Sequence, residues 1–225
     1  MAVKKVESSI EIRPLNIQKV NLHIIGDTPL IVHAWSEKAK RQMLEAQMGL
    51  KKGKAKDFKN PWEDFINSMY WLTEKPTEYT EEAFNEAIKK GARFGFPVTG
   101  IKAAAISAAY RQGWTKNKVS IQGEFFLEDD MDGLVEIKGE PPIMREDMVK
   151  IAMGTADIRY RGEFHNWSMD LTMQYNANGQ FSLENIINML NAGGFFCGIG
   201  EWRVEKAGSC GKFHVLTTGE VEKTA

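Results

Sequence analysis

The sequence has few of the features that mark secreted, membrane-bound or metal-bound proteins. Its two cysteines, Cys197 and Cys210, stand thirteen positions apart with no C-x-x-C or His-x-His neighbour, which does not match zinc-ligand spacing. It has no apolar leader and no run of about 18 apolar residues, so we expect neither secretion nor a membrane span. We therefore expect a cytoplasmic protein with reduced cysteines and no cofactor.

The chain also lacks an excess of positive charge. It carries 29 Lys and Arg residues against 30 Asp and Glu residues, and its formal net charge is -1. A protein that coats duplex DNA through bulk charge is strongly basic, so that class is excluded and any nucleic-acid site must be a local patch. The 225 residues, 43% of them hydrophobic, suffice for one domain, and we find no repeat of fixed period.

The hydrophobic pattern predicts an α+β fold. Alternating apolar residues predict an opening strand with a kink at residues 20–32. Helical spacing and capping residues predict helices at residues 36–49, 80–91, 99–111, 145–153 and 182–192. Further strands are predicted at residues 119–127, 134–137, 158–175 and 195–215. This order favours a split β-α-β arrangement, with helices on one face of an antiparallel sheet and one domain over residues 1–225.

A lysine-rich stretch begins an insertion at about residues 50–79. Its lysines are Lys51, Lys52, Lys54, Lys56 and Lys59. We expect a mobile loop there, because the stretch has almost no aliphatic residues and no periodicity. The lysines can attract a phosphate backbone, and the following Trp62, Tyr70 and Trp71 can stack on unpaired bases. Alternatively, the loop is only solvated and the aromatic residues belong to the core.

Three segments resemble, in the right order, the RAMP superfamily, which contains the backbone subunits and crRNA-processing proteins of CRISPR systems. They are an apolar run meeting the Thr28-Pro29-Leu30 turn, a helix with Lys102 that follows Pro97 and Thr99-Gly100, and a glycine-rich loop ending in Gly211-Lys212-Phe213. The resemblance implies a ferredoxin-like (RRM/RAMP-type) sheet and a homo-oligomer, filament or ring, along single-stranded RNA or DNA. The sequence is also similar to uncharacterised phage-encoded proteins, which implies the cytosol of an infected bacterium.

Several cations are candidate nucleic-acid contacts that we expect to share one groove. Lys102 and Arg111 lie on the helix that opens at Thr99, where free amides attract an anion. Arg203 and Lys206 accompany glycines that let the backbone approach a ligand closely. Arg159 and Arg161 share one face of a predicted strand, near Trp167. The alternatives are that Thr99 only caps its helix, that the glycines only shape a hairpin, and that the arginines pair with Asp157 or Glu163.

Two residues are candidates for catalysis. RAMP ribonucleases place a histidine near the position of His33, and target-cleaving backbone subunits place an aspartate in a loop comparable to that of Asp57. No partner His, Tyr or Lys is fixed by spacing, so binding without catalysis is the leading hypothesis and an endoribonuclease is the alternative. A second alternative is a phage factor that binds a host defence complex, which is consistent with the near-neutral charge.

Overall fold

Ten strands and six helices follow one another in the described part of the chain. The computed structural model describes residues 14–35, 37–50, 58–150 and 156–216. The strands are β1 (Ile17–Gly26), β2 (Leu30–Val32), β3 (Tyr70–Trp71), β4 (Phe94–Pro97), β5 (Phe125–Leu127), β6 (Leu134–Ile137), β7 (Ile143–Lys150), β8 (Ala156–Phe164), β9 (Ser168–Asn176) and β10 (Phe213–Val215). The helices are α1 (Glu37–Gln47), α2 (Pro61–Asn67), α3 (Glu81–Lys89), α4 (Val98–Arg111), α5 (Val119–Gln122) and α6 (Leu183–Ala192). Within these residues, no helix is both long and apolar enough to cross a membrane.

The strands form three antiparallel sheets. Their orders are β10-β1-β9-β5, β2-β8-β7 and β3-β4-β6. In the four-stranded sheet, β1 lies between β9 and β10, so that Leu22 faces Leu171 and Ile24 pairs with both Met169 and Val215. α4 precedes β5, α6 precedes β10, and the two helices contact each other. The predicted α+β class is confirmed.

Small residues let the main helix pack closely. Ala104, Ala105, Ala108 and Ala109 are buried on α4. α6 continues into a π-helical turn, Gly193–Cys197, that contacts α4. A side chain at Gly193 would lie 2.7 Å from the Ala105 nitrogen, so only glycine permits this approach. This close contact holds the π-helical turn against α4.

The aromatic residues after the lysine-rich stretch are mostly core residues. Phe65 and Ile66 on α2 are buried, and Trp62 packs edge-on against Phe65 with ring centroids 5.5 Å apart. The Trp71 indole nitrogen donates a hydrogen bond to the Ile66 carbonyl at 2.8 Å. The core alternative therefore holds for Trp62 and Trp71.

Four sequence predictions about secondary structure are wrong in part. The helix predicted at residues 145–153 is the strand β7 over its described residues, because a full antiparallel ladder with β8 outweighs local helix preference. Residues 119–122 form α5 rather than strand. The predicted strand at 158–175 divides into β8 and β9, in different sheets, with Asn166 at φ 46° between them. The strand predicted at 195–215 is confined to β10, since Gly198, Gly200 and Gly211 adopt positive φ.

Candidate functional site

A cavity of about 430 Å³ lies beside the first turns of α4. Its lining comes from several remote parts of the chain: His33; Tyr70; Phe96, Pro97, Thr99, Gly100, Ala103, Ala104 and Ser107; Lys118; and Gly198, Ile199, Gly200, Glu201, Arg203 and Glu205. The volume falls in the range of small-ligand sites, about 300–1,000 Å³. Two other cavities have similar volumes, about 550 and 540 Å³. This cavity is the candidate site because remote parts of the chain bring a histidine, a tyrosine, an arginine and a lysine to it.

The start of α4 gives the cavity a positive end. The N-cap position is Pro97, which makes no side-chain capping bond, so Thr99 lies inside the helix rather than capping it. The Val98 amide donates to the Gly133 carbonyl at 3.0 Å. The next amides belong to Thr99 and Gly100, which line the cavity. First-turn amides and the helix dipole favour an anion at such a position.

The glycine segment, residues 193–212, forms the opposite wall. Glu201 donates its amide to the Ile31 carbonyl at 2.8 Å, and Gly211 donates to the Pro29 carbonyl at 2.8 Å. Gly200 has φ 76°, and a side chain there would overlap the Ile31 carbonyl oxygen. The segment thus lies against β2 and brings Glu201 and Arg203 to the cavity.

A carboxylate and a phenol share this site with His33. The His33 Nδ1 lies 3.4 Å from Glu201 Oε1, and Arg161 Nη2 lies 3.9 Å from Glu201 Oε2. The hydrogen bond from His33 and the charge of Arg161 lower the pKa of Glu201, although burial opposes them. Burial and the charge of Glu201 raise the pKa of Tyr70. At neutral pH, Glu201 is therefore ionised and Tyr70 keeps its proton.

Two arginines share one carboxylate at the edge of the cavity. Arg203 Nε lies 3.2 Å from Glu205 Oε2, and Arg111 Nη2 lies 2.8 Å from Glu205 Oε1. Arg203 also donates to the Gly200 carbonyl at 3.1 Å. Two positive charges and one negative charge leave this cluster with one net positive charge. Both residues were predicted contacts, and they meet at one place.

Lys102, Arg159 and Arg161 do not line the cavity, so the predicted common groove of Lys102, Arg159 and Arg203 is wrong. The Lys102 Nζ donates to the Gln122 carbonyl at 2.7 Å, and burial lowers its pKa. Arg159 pairs with Asp157 at 3.1 Å, as the alternative interpretation proposed. Arg161 is buried and pairs with Asp147 at 3.2 Å.

Trp167 is a core residue and not a stacking surface. Its ring is buried, and its indole nitrogen donates to the Thr28 carbonyl at 2.8 Å. A side chain at Gly26 would overlap this ring. The prediction that Trp167 contacts nucleic acid is therefore wrong, because tertiary packing covers both faces of the indole.

The lysine-rich stretch lies largely outside the described residues. The predicted contacts Lys51, Lys52, Lys54 and Lys56 and the catalytic candidate Asp57 lie outside the described residues. Lys59 is described and lies 3.0 Å from Asp157 Oδ1. Lys206 is exposed on a short 3-10 turn, Val204–Lys206, and has no carboxylate partner in the described part of the chain.

All described arginines have a carboxylate partner, whereas some described lysines have none. Each described arginine lies within 4 Å of a carboxylate: Arg41, Arg93, Arg111, Arg145, Arg159, Arg161 and Arg203. Lys118 and Lys212, like Lys206, have no carboxylate partner among the described residues. Sequence reasoning missed Lys118 and the position of Tyr70, because neither has a local motif and only tertiary folding brings them to the cavity.

Three sequence segments that are far apart in the chain therefore meet at one cavity. The turn after β2 supplies His33, the start of α4 supplies Thr99, and the glycine segment supplies Arg203. No protein-family model matches the chain, and no curated protein matches its sequence. The geometry of the cavity is thus the basis for assigning a function.

Proposed function

We propose that this chain binds single-stranded nucleic acid, with a backbone phosphate in the cavity. The observation that carries the proposal is that three features meet at one cavity. They are a helix start without a side-chain cap, the net positive cluster of Arg111, Glu205 and Arg203, and Lys118, which has no carboxylate partner in the described part of the chain. Free amides and cations are the groups that bind phosphate. Because the charge is local, it is compatible with a net charge of -1 for the whole chain.

The sheet topology supports a ferredoxin-like core of the RAMP type. The core we propose is β1-α4-β5-β9-α6-β10, with the other elements as insertions. The order β10-β1-β9-β5 supports it, since two interleaved β-α-β units leave the first and third core strands in the middle. The three segments that resemble RAMP proteins all lie at or next to the cavity, which supports the same relationship. The phage context in this proposal rests on the sequence likeness alone.

Exposed apolar residues support assembly into a homo-oligomer along the strand. Met43 and Leu44 on α1 and Met48 just after it are exposed, and Met148 and Ile158 are exposed on the paired strands β7 and β8. Exposed apolar patches of this kind mark protein contacts. Side-by-side copies would raise the affinity of modest individual sites through effective concentration. Light scattering with and without a single-stranded oligonucleotide tests the assembly.

Fluorescence anisotropy with labelled RNA, single-stranded DNA and duplex DNA tests the binding function. We expect single strands to bind more tightly than duplex, and affinity to fall steeply as salt rises from about 50 to about 200 mM. Lys118→Ala should weaken binding, whereas Lys116→Ala, two residues away and outside the cavity lining, should not. Failure of the wild type to bind any oligonucleotide contradicts the proposal. A pull-down from nuclease-treated host lysate then tests a protein partner instead.

One observation favours an endoribonuclease as a second candidate: His33 and Tyr70 line the same cavity. In this proposal His33 accepts the proton of a ribose 2′-hydroxyl, whose oxygen bonds to phosphorus, while Tyr70 donates a proton to the departing 5′-oxygen. The products are a 2′,3′-cyclic phosphate and a 5′-hydroxyl. Labelled RNA incubated with wild type, His33→Ala, Tyr70→Phe and Asp57→Ala tests it. Cleavage that survives all three substitutions removes the candidate.

A further inference from the structure

Three large aromatic side chains are exposed on the glycine segment that forms one wall of the cavity. Phe195 is 58% exposed, Phe196 is 41% exposed and Trp202 is 42% exposed, and we call these three residues the aromatic rim. Burial of such a side chain stabilises a fold by about 1.5–3 kcal/mol. The core therefore does not explain why all three remain at the surface of one short segment.

The backbone holds the aromatic rim in unusual conformations. Phe195 and Phe196 lie in the π-helical turn Gly193–Cys197, a rare structure that occurs frequently at functional sites. Trp202 has φ 51°, which is strained for a bulky residue. Its carbonyl accepts a hydrogen bond from the Cys210 amide at 3.0 Å, and a side chain at Gly208 would overlap it. Such strain persists where the surrounding structure enforces it, and it is concentrated at functional sites.

A cation accompanies the exposed rings. The Lys212 Nζ lies 4.7 Å from the centroid of the Phe195 ring and has no carboxylate partner in the described part of the chain. Phe195 and Phe196 meet edge to face, with centroids 5.0 Å apart. A π surface beside a free cation suits a base attached to a phosphate better than it suits an apolar peptide.

The aromatic rim adjoins the lining of the cavity at two points. Gly198, which lines the cavity, follows Phe196 by two residues, so their α-carbons lie within about 7 Å of each other. Trp202 stands between Glu201 and Arg203, which both line the cavity. A nucleic-acid strand with a phosphate in the cavity would thus pass next to these aromatic side chains.

We infer that the aromatic rim is a stacking site for the unpaired bases of that strand. The inference rests on the proposed binding function and adds the ligand group that the glycine segment recognises. Stacking uses the π face that every base has, so the site accepts RNA and DNA with little sequence preference. It also gives a reason for selecting single strands, because the bases of a duplex are already stacked on one another.

Abasic oligonucleotides separate stacking from phosphate binding. Anisotropy is measured with oligothymidylate, oligouridylate and an abasic chain of equal length, on wild type, the double variant Phe195→Leu/Phe196→Leu, and Trp202→Leu. Leucine keeps the apolar bulk but removes the π face. We expect each variant to lose about tenfold in affinity for the base-containing chains and nothing for the abasic chain. Phe126→Leu is the matched control, since Phe126 is also exposed and has Lys102 4.3 Å from its ring centroid, but lies on β5.

Each other outcome contradicts a defined part of the account. If wild type binds neither kind of chain, the binding function itself fails. If wild type binds both kinds equally, the binding function stands and the stacking site does not. The stacking site is also overturned if the rim variants lose as much affinity for the abasic chain as for the base-containing chains. The same holds if only Phe126→Leu lowers the preference for base-containing chains. Thermal melting by circular dichroism checks that all variants fold.

Discussion

The cavity and the paired strands β7 and β8 both carry arginines, but they use them differently. On the strands, Arg145 lies 2.8 Å from Glu163, and the buried Arg161 and Asp147 lie 3.2 Å apart. At the cavity, Arg111 and Arg203 share one carboxylate, and Lys118 has none among the described residues. The two regions thus differ in the charge that is left after internal pairing rather than in the number of arginines, and this remaining charge is the basis for proposing an anion site at the cavity.

The register of the strands explains why their arginines are neutralised. Arg145 stands opposite Arg161, and Asp147 stands opposite Arg159. These side chains share one face of the ladder, so each carboxylate can reach cations on both strands. Arg161 is 5% exposed and Asp147 is 6% exposed, and a buried charge without a partner is costly. The network therefore has a structural role.

The largest expected effect comes from breaking this buried pair. Arg161→Leu removes one of the two arginines that pair with Asp147 and leaves the buried carboxylate with Arg145 alone, at 2.9 Å. We expect it to lower the free energy of unfolding by about 3 kcal/mol. Urea denaturation measures the change. The double variant Arg161→Leu/Asp147→Leu should recover much of the loss, because neither charge of this buried pair remains. A single variant as stable as wild type would show that the pair is not structural.

Removing one carboxylate from each region sharpens the comparison. Glu205→Gln frees positive charge at the cavity, and we expect affinity for a single-stranded oligonucleotide to rise about fivefold, with a steeper salt dependence. Asp157→Asn frees Arg159 in the same way but should leave affinity unchanged. Anisotropy titrations at several salt concentrations measure both. An equal gain for the two variants would place the strands β7 and β8 in the interface.

Acid should weaken the fold through carboxylates whose pKa lies below its ordinary value. The pKa of Glu201 is lowered from 4.5 by the hydrogen bond from His33 and the charge of Arg161. The unfolded chain then binds the proton first, so the stabilisation is complete above about pH 4.5 and is lost as pH falls through the lower folded value. Urea denaturation of wild type and Glu201→Gln from pH 6 to pH 3 measures this. An unchanged pH dependence in the variant contradicts the role given to Glu201.

The smallest effect is expected from Arg159→Ala. Its partner Asp157 is partly exposed, and an exposed ion pair contributes only about 0–1 kcal/mol to the free energy of unfolding. We also expect unchanged affinity for oligonucleotides, because Arg159 does not line the cavity. A clear loss of affinity in an anisotropy titration would show that Arg159 contacts the nucleic acid.

Capping signals in the sequence predict the helices α3 and α6 correctly, whereas local propensity fails at β7. Thr80 accepts a hydrogen bond from Ala83, and Ser182 accepts one from Asn185, as their capping positions predict. The β7 segment contains Arg145, Glu146 and Met148, which favour a helix when read alone. Its pairing with β8 depends on residues beyond the local window, so local propensity could not indicate it.

The candidate site is predictable only where a backbone motif carries it. The glycines around Arg203 and the turn before Thr99 have recognisable patterns, and both reach the cavity. Lys102 stands between the cavity-lining residues Gly100 and Ala103, but it points elsewhere, since successive helix positions rotate by about 100°. Tyr70 comes to the cavity through tertiary folding alone. A motif thus identifies a segment, and only the fold decides which side chains face a ligand.

Photo-crosslinking tests the central claim most directly, using a single-stranded oligonucleotide with thio-substituted thymidines and mass spectrometric mapping of the attached peptides. The account predicts cross-links in the glycine segment, especially at Phe195, Phe196 and Trp202, together with residues around Tyr70 and Lys118. Cross-links confined to β7 and β8, or to the exposed face of the four-stranded sheet, would contradict it.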